Sequence, residues 1–599
     1  MAKELPKRSE VKEEFTWNLA DMYVDIPAWE SDVAKIQAMT EELAKMETIV
    51  CESAYSLLAT LEQNADIERL AYKAMNYASR SSDQDTSDTT HQAMNQKLHG
   101  IISDISSTLS FIEPEILEAD AATLEQFYAE EPGLELYRGL IDEIQRLKPH
   151  RLSAELEKVM AMTGEMGRTP SQTYSIFTNS DLSFPEMQDE NGDTVRISHG
   201  RFIALEESAD RSVRKEAFEK LYATYDQYKN TLASLYSGQV KKQIFSAKMR
   251  KYSSTLEAAV DANNVSPAVY DNLIQTVNQN LGNMHRYVSL RKKLLGVDEL
   301  HMYDIYTPMI PDSAKKVSYK EAKATVLKAL APLGKDYVSV VEEGFNNRWI
   351  DVYENVGKRS GAYSSDTYDT HPYVLLNYND TLDNMFTLAH EMGHAMHSYL
   401  SNKKQPFIYA DYTIFVAEVA STCNEILLME YLLANTTEKK ERAYLLNHYL
   451  DSFKGTVYRQ TMFAEYERET NRLAEAGESL TADVLSKIYY DLNCKYYGPD
   501  MVSDKEIAVE WARIPHFYYN FYVYQYATGF ASAVAIAHNI LKNGEPAVKA
   551  YKEFLSGGCT KSPVELLKIA GVNLESPQPI QDALNVMSEI LDEMEDLEL

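Results

Sequence analysis

Among the 599 residues, one pentapeptide has the composition of a metal-dependent hydrolytic centre: His390-Glu391-Met392-Gly393-His394. Two histidines four apart rise from adjacent turns of one helix face, so both imidazoles can reach a single tetrahedral ion of the kind zinc prefers. Glu391 stands one position beyond the first histidine. It is turned aside from the ligand pair yet close enough to contact a water at an open coordination position. The spacing alone also fits two surface histidines flanking a solvated glutamate, so a third ligand must be found.

Known spacings narrow the search. A metzincin pattern needs Gly at position 397 and His at 400, where the chain has His397 and Leu400. A thermolysin-like spacing puts a glutamate about twenty residues past the second histidine, where Thr413 and Ile414 stand. The next carboxylates in a helical context are Glu418 and Glu425, in TIFVAEVASTCNEILLMEYLL. Seven residues span almost two turns, so both project from one face. Glu418 can then close the ligand set while Glu425 accepts the N–H of a ligand histidine. Ile414, Phe415, Val416, Val419, Ile426 and Leu427 around them imply burial, and buried carboxylates need partners. Cys423 points elsewhere on the helix and reads as a core thiol. His397 reads as a packed histidine rather than a ligand, and His371 is in position to face a substrate.

A second cluster is aromatic: IPHFYYNFYVYQYATGF, residues 514–530. Tyr519, Tyr522 and Tyr526 have the spacing of one helical stripe, with His516 just upstream. Phenols and an imidazole can donate hydrogen bonds to an oxygen gaining negative charge. A buried aromatic stripe with hydroxyls bonded to backbone is the competing reading.

These residues require elements to hold them. Asp380-Thr381 offers an N-cap for a helix that runs through the pentapeptide to Ser401-Asn402 and Pro406. Upstream, residues 357–380 read as a loop followed by a strand on Tyr373-Val374-Leu375-Leu376, giving a small sheet beside the metal helix. The stretch around 373–378 is expected to pair with an extended substrate. No Gly-Lys-Ser/Thr follows at the spacing of a phosphate loop. Elsewhere the apolar spacing is helical, as in Val33, Ile36, Met39, Leu43, Met46 and in Ile580, Leu584, Met587, Leu591, Met594. With only 23 Gly and 19 Pro to interrupt it, the chain is expected to be mainly α. Asn191-Gly192 within 181–200 signals a β-hairpin. The domain boundary is placed there, with an N-terminal helical lobe over 1–200 and the catalytic domain over 201–599. No fixed-period repeat supports a solenoid.

Composition excludes several classes. A formal net charge of −31 repels nucleic acid and anionic lipid, so neither is expected as a partner. The charged opening, MAKELPKRSEVKEEF, lacks the apolar core of a secretory signal, and no segment is apolar enough to span a membrane. Cys51, Cys423, Cys494 and Cys559 are scattered, as reduced thiols of a cytoplasmic protein would be.

Taken with HEMGHAMH (390–397), the segment FVAEVAS carrying Glu418 and Ser421, GKRSGAYS (357–364), the aromatic segment and the early WNLADMY (17–23) complete an ordered set. The chain resembles the thimet oligopeptidase superfamily, and within it oligoendopeptidase F, over essentially its whole length. The resemblance implies a two-lobed, mainly helical ellipsoid around a deep substrate channel, with one zinc ion at its base and short peptides as substrates. It implies His390, His394 and Glu418 as ligands, and Glu391 as general base for attack by a metal-bound water. His516 with Tyr519, Tyr522 and Tyr526 then supports the oxyanion. Thimet oligopeptidase has one residue fewer between that histidine and the pair matched by Gln525-Tyr526, so which tyrosine serves stays open. A related peptidase that removes C-terminal dipeptides is the nearest alternative. A non-enzymatic helical interaction protein with a vestigial metal motif is the alternative of another class. The oligomeric state is left open.

Overall fold

Helices dominate, as the scarcity of glycine and proline implies, in a computed structural model that describes residues 4–310 and 316–597. The chain forms two compact units, each assembled from three stretches. The first comprises Met1–Pro149, Lys315–Leu428 and Asn539–Lys561; the second comprises His150–Ala314, Met429–His538 and Ser562–Leu599. Among the described residues, no helix is long and apolar enough to cross a membrane.

In the first unit, helix Ile26–Leu43 starts on an Asp25 cap and packs on Ala54–Asp83 and Thr89–Thr108. Its expected stripe is the packing face: Val33, Ile36 and Leu43 are buried, and Met39 and Met46 lie partly buried against the same core. Trp17, Met22 and Tyr23 of WNLADMY join that core together with Tyr373 and Leu375. The motif thereby ties the N-terminal segment to the sheet.

That sheet has three strands. Tyr373–Leu375 is central, parallel to Ile350–Asp351 on one side and antiparallel to Tyr363–Ser365 on the other. It packs against helix Leu382–Lys404, so a small sheet does lie beside the metal helix. The expectation that the stretch at 373–378 pairs with substrate fails for Tyr373–Leu375, both flanks of which are filled. Beyond Ile350–Asp351 the N-terminal segment closes the sheet, with Val352 N–H donating to the Phe15 carbonyl at 3.0 Å and Asn18 N–H to that of Arg348 at 2.9 Å. Tyr363–Ser365 is the edge with no further strand beside it among the described residues.

The loop leading to this edge is fixed by a buried ion cluster. Asp351 Oδ1 lies 2.7 Å from Lys358 Nζ with both side chains fully buried, and its Oδ2 lies 2.5 Å from Arg8 Nη2. Burial pushes the Lys358 ammonium below its usual range, and Asp351 opposes that shift. Lys358 also donates to the carbonyls of Asp351 and Tyr353, so within GKRSGAYS it serves as a structural bolt.

In the second unit, the hairpin forms as expected, with Glu186–Gln188 antiparallel to Thr194–Arg196 and Gly192 at φ 82° in the turn. Helix Arg211–Met249 is its longest element. The final stripe, Ile580 through Met594, is buried along helix Gln578–Asp596.

Asp351→Asn should destabilise the protein by about 3 kcal/mol, because it strands a buried ammonium. Urea denaturation followed by circular dichroism reads this as a lowered first midpoint, and an unmoved midpoint would refute the bolt.

Candidate metal centre

Helix Leu382–Lys404 begins where the sequence places it: Thr381 Oγ1 accepts the Asn384 N–H at 3.1 Å. Met385, Leu388, Ala389, Met392, Ala395 and Met396 bury its inner face, and His390 and His394 share the margin. Their Nε2 atoms are 3.2 Å apart. Glu418, from helix Ile414–Asn435, brings Oε2 to 3.4 Å from His390 Nε2 and 3.5 Å from His394 Nε2. Four donors about 2.05 Å from a tetrahedral ion stand about 3.4 Å from one another. The three edges of this triangle therefore fit one zinc-sized cation. With Glu418 41% exposed, the triangle opens toward solvent.

Further groups hold the donors in place. His390 Nδ1 is 2.6 Å from Glu425 Oε1, so its N–H donates to the carboxylate, which aims Nε2 at the triangle. Ser421 Oγ donates to Glu418 Oε2 at 3.0 Å. Seven-residue spacing therefore does put Glu418 and Glu425 on one working face.

Two positioning residues escaped the sequence reading. A Cβ at Gly393 would lie 2.6 Å from both the Ala420 carbonyl oxygen and Ser421 Cα, so only glycine lets the two helix backbones approach this closely. Asn424 donates from Nδ2 to the Ala389 carbonyl at 3.1 Å and accepts from Tyr337 Oη at 3.2 Å, joining the helices one residue before His390. The available signal was Gly393 itself, since a glycine within a helix costs about 1 kcal/mol against alanine and calls for a packing reason.

Electrostatics suit a cation. Burial opposes charge on His390, yet the bond to Glu425 and the charges of Glu425, Glu391 and Glu418 raise its pKa to about 9. Burial also opposes ionisation of Glu418, but His394 and His390 bring it down to about 2. The metal-free protein thus keeps a proton on His390 that a bound cation must displace. Glu391 is 5% exposed, and its Oε2 has no hydrogen-bond partner. Burial pushes its carboxyl upward against the pull of both histidines.

The neighbouring histidines are occupied elsewhere. His397 is buried and stacked on Tyr412, with centroids 3.6 Å apart, and burial lowers its pKa to about 3. It is the packed histidine expected. His371 uses both ring nitrogens, on the Pro372 carbonyl at 2.7 Å and Asp21 at 3.0 Å, and stacks on Trp349. Cys423 is buried.

His516, Tyr519, Tyr522 and Tyr526 belong to the second unit. The rings of Tyr519, Tyr522 and Tyr526 lie 5.6, 6.4 and 6.1 Å from His516, and Tyr522 lies 5.4 Å from Tyr526. They gather without the continuous helix expected of them. Pro515–Tyr518 is a short 3-10 turn, Asn520 and Phe521 are left-handed at φ 57° and 55°, and the helix starts only at Tyr524. Tyr518 and Tyr524 are core residues, Tyr518 stacked on Tyr174 and Tyr524 packed at a tilt against Tyr270. Burial lowers the His516 pKa, which keeps its ring neutral near pH 7.

Compared with known proteins, residues 204–586 match the model of peptidase family M3, and residues 115–184 that of oligopeptidase F. The chain is 48% identical over 597 residues to the oligopeptidase PepF of Bacillus subtilis, covering 100% of this chain and 89% of that protein. It is 41% identical over 591 residues to the group B oligopeptidase PepB of Streptococcus agalactiae, covering 98% of each. Among solved structures, oligoendopeptidase-F from Enterococcus faecium aligns with a TM-score of 0.74 at 39% identity, over 95% of this chain and 98% of that one. A Chlamydophila abortus crystal structure aligns with a TM-score of 0.93 at 34% identity, over 99% and 100%.

Two substitutions probe the frame. Gly393→Ala should force the helices apart, costing about 1–3 kcal/mol and lowering the affinity for an added divalent cation; wild-type stability with unchanged affinity would dismiss the close-approach argument. Glu425→Gln should weaken binding of an added divalent cation about 10- to 100-fold in chelator competition, and unchanged affinity would show that the His390 bond is idle.

Proposed function

Since the chain belongs to peptidase family M3 and matches oligoendopeptidase F relatives along its length, we propose that it is a zinc-dependent endopeptidase hydrolysing internal bonds of short oligopeptides. The observation that carries this reading is the triangle of His390, His394 and Glu418 donors on the same helix pair as the buried, half-unpaired Glu391 carboxyl.

His390, His394 and Glu418 would hold one zinc ion, and two imidazoles with a carboxylate are a donor set zinc favours. When bound, zinc supplies a Lewis acid for the scissile carbonyl and makes water a nucleophile near neutral pH. Glu391 takes the proton of the attacking water and passes it to the leaving amine, work suited to a carboxyl whose pKa burial has raised. Neutral His516 and one or two of Tyr519, Tyr522 and Tyr526 donate hydrogen bonds to the oxyanion. The open edge at Tyr363–Ser365 offers backbone pairing to an extended peptide, which favours binding without strong side-chain preference. The four unpaired cysteines suit a reducing cytoplasm.

Glu391→Gln should retain zinc while kcat falls by about 10²- to 10⁴-fold. Loss of zinc together with activity would mean that the base is misassigned. The same assay with peptides amidated at the C-terminus should still show internal cleavage; a strict need for a free carboxylate would point to dipeptide removal from that end.

A further inference from the structure

The aromatic segment is bent at a conformation that local sequence does not favour. Asn520 and Phe521 are consecutive left-handed residues, and Phe521 is a buried aromatic for which that region is a genuine outlier. Such backbone persists only where its surroundings over-determine it. Three buried side chains from two helices of the same unit do so. Glu467, on helix Arg459–Glu475, accepts the Phe521 N–H on Oε1 at 3.0 Å. Gln239, on helix Arg211–Met249, donates to the Tyr518 carbonyl at 3.0 Å and to Asn520 Oδ1 at 3.1 Å. Gln243, one turn further along, donates to the same Asn520 oxygen.

The bend separates two arms. His516 and Tyr519 precede it, Tyr522 and Tyr526 follow it, and their rings meet across it, with Tyr519 and Tyr522 centroids 6.3 Å apart. We propose that Glu467, with Gln239 and Gln243, is a positioning clamp that imposes the left-handed pair at Asn520-Phe521 and thereby holds His516 and its tyrosines as one group of donors. This rests on the reading of that group as oxyanion support.

The character of Glu467 agrees with the role. It is 1% exposed, its Oε2 has no hydrogen-bond partner, and no described cation pairs with it. Tyr236 from Arg211–Met249 and Tyr270 from helix Pro267–Gln279 are the titratable groups facing it. Burial raises the Glu467 carboxyl to about 8 against the opposing Phe521 N–H, so the neutral acid prevails at pH 7. Since the folded value lies above the unfolded one, the stability contributed by the neutral acid is fully present below the unfolded value and is lost as pH rises from there to about 8, while the Phe521 N–H, which favours the ionised form, stays bonded to the carboxylate. An amide of the same shape keeps the acceptor and removes the titration.

The test is steady-state cleavage of a quenched peptide by the zinc-loaded full chain, with zinc content and circular dichroism recorded for each variant. Glu467→Ala should lower kcat about 10- to 100-fold with little change in KM. Glu467→Gln, which keeps the acceptor for the Phe521 N–H, should restore most of that loss at pH 7. In a His516→Phe background, Glu467→Ala should cost no more than about twofold further, since the arm it positions is already disabled. If Glu467→Ala fails to fold, Gln243→Met carries the test, with a loss of kcat again expected. An impaired His516→Phe alongside a fully active Glu467→Ala or Gln243→Met overturns the clamp alone. A fully active His516→Phe overturns the oxyanion reading, and the clamp with it.

Discussion

Two helix backbones meet at Gly393, and the position of every candidate metal donor follows from that contact. His390 and His394 ride on one helix and Glu418 on the next, so the triangle between 3.2 and 3.5 Å on each edge exists only while the helices keep their separation. A working site tolerates about 0.5 Å of displacement. With the Ala420 carbonyl oxygen and Ser421 Cα 2.6 Å from where a Cβ would stand, no side chain intervenes to soften the spacing. Asn424 adds a hydrogen bond across the same contact, between side chain and backbone, at the turn where the ligands begin. The helix-breaking tendency of glycine is thus accepted mid-helix for a steric gain that no other residue offers.

Convergence has an electrostatic consequence. Nε2 atoms 3.2 Å apart cannot both present lone pairs comfortably, and a carboxylate beside them invites a proton or a metal. Glu425 resolves part of this by fixing where the first proton sits, on His390 Nδ1. The other nitrogen is left for either a second proton or a cation. The elevated His390 and depressed Glu418 pKa values are two aspects of one arrangement, in which a cationic imidazole and an ionised carboxylate favour each other at the triangle. Glu391 takes part in that field, but burial outweighs the pull of both histidines on its carboxyl and its Oε2 has no hydrogen-bond partner. A carboxyl free to exchange a proton is what a general base needs.

The legibility of the sequence varied with the range of the interaction. The histidine helix, its Thr381 cap, the shared face of Glu418 and Glu425, and the stripe from Ile580 to Met594 were all readable, because helical periodicity and capping are local. The hairpin at Asn191-Gly192 was readable for the same reason. The edge strand Tyr363–Ser365 was not: it is three residues long, half-buried throughout, and ends in two serines that read as loop. Its omission led the central strand to be taken for a free one. The tyrosine stripe failed differently. Spacing of three and four along a sequence presumes helical backbone, and nothing in Asn520-Phe521 announces two left-handed residues. Their conformation comes from Glu467, Gln239 and Gln243, which lie about 50 to 280 positions away in sequence.

The two groups of functional side chains therefore illustrate two ways of fixing a donor. The candidate metal ligands stand on helices whose geometry is set by backbone contact, and their precision is inherited from regular structure. His516 and its tyrosines stand on irregular backbone, where precision must be imposed by hydrogen bonds from buried polar side chains. Each such group costs desolvation unless its bonds are made. That explains why the aromatic segment draws amides and a carboxyl into an otherwise apolar interior, with Tyr236, Tyr270 and Tyr466 packed around them. A site dependent on helix contact fails when the helices part. A site dependent on such hydrogen bonds fails when one of them is lost, with the surrounding helices undisturbed.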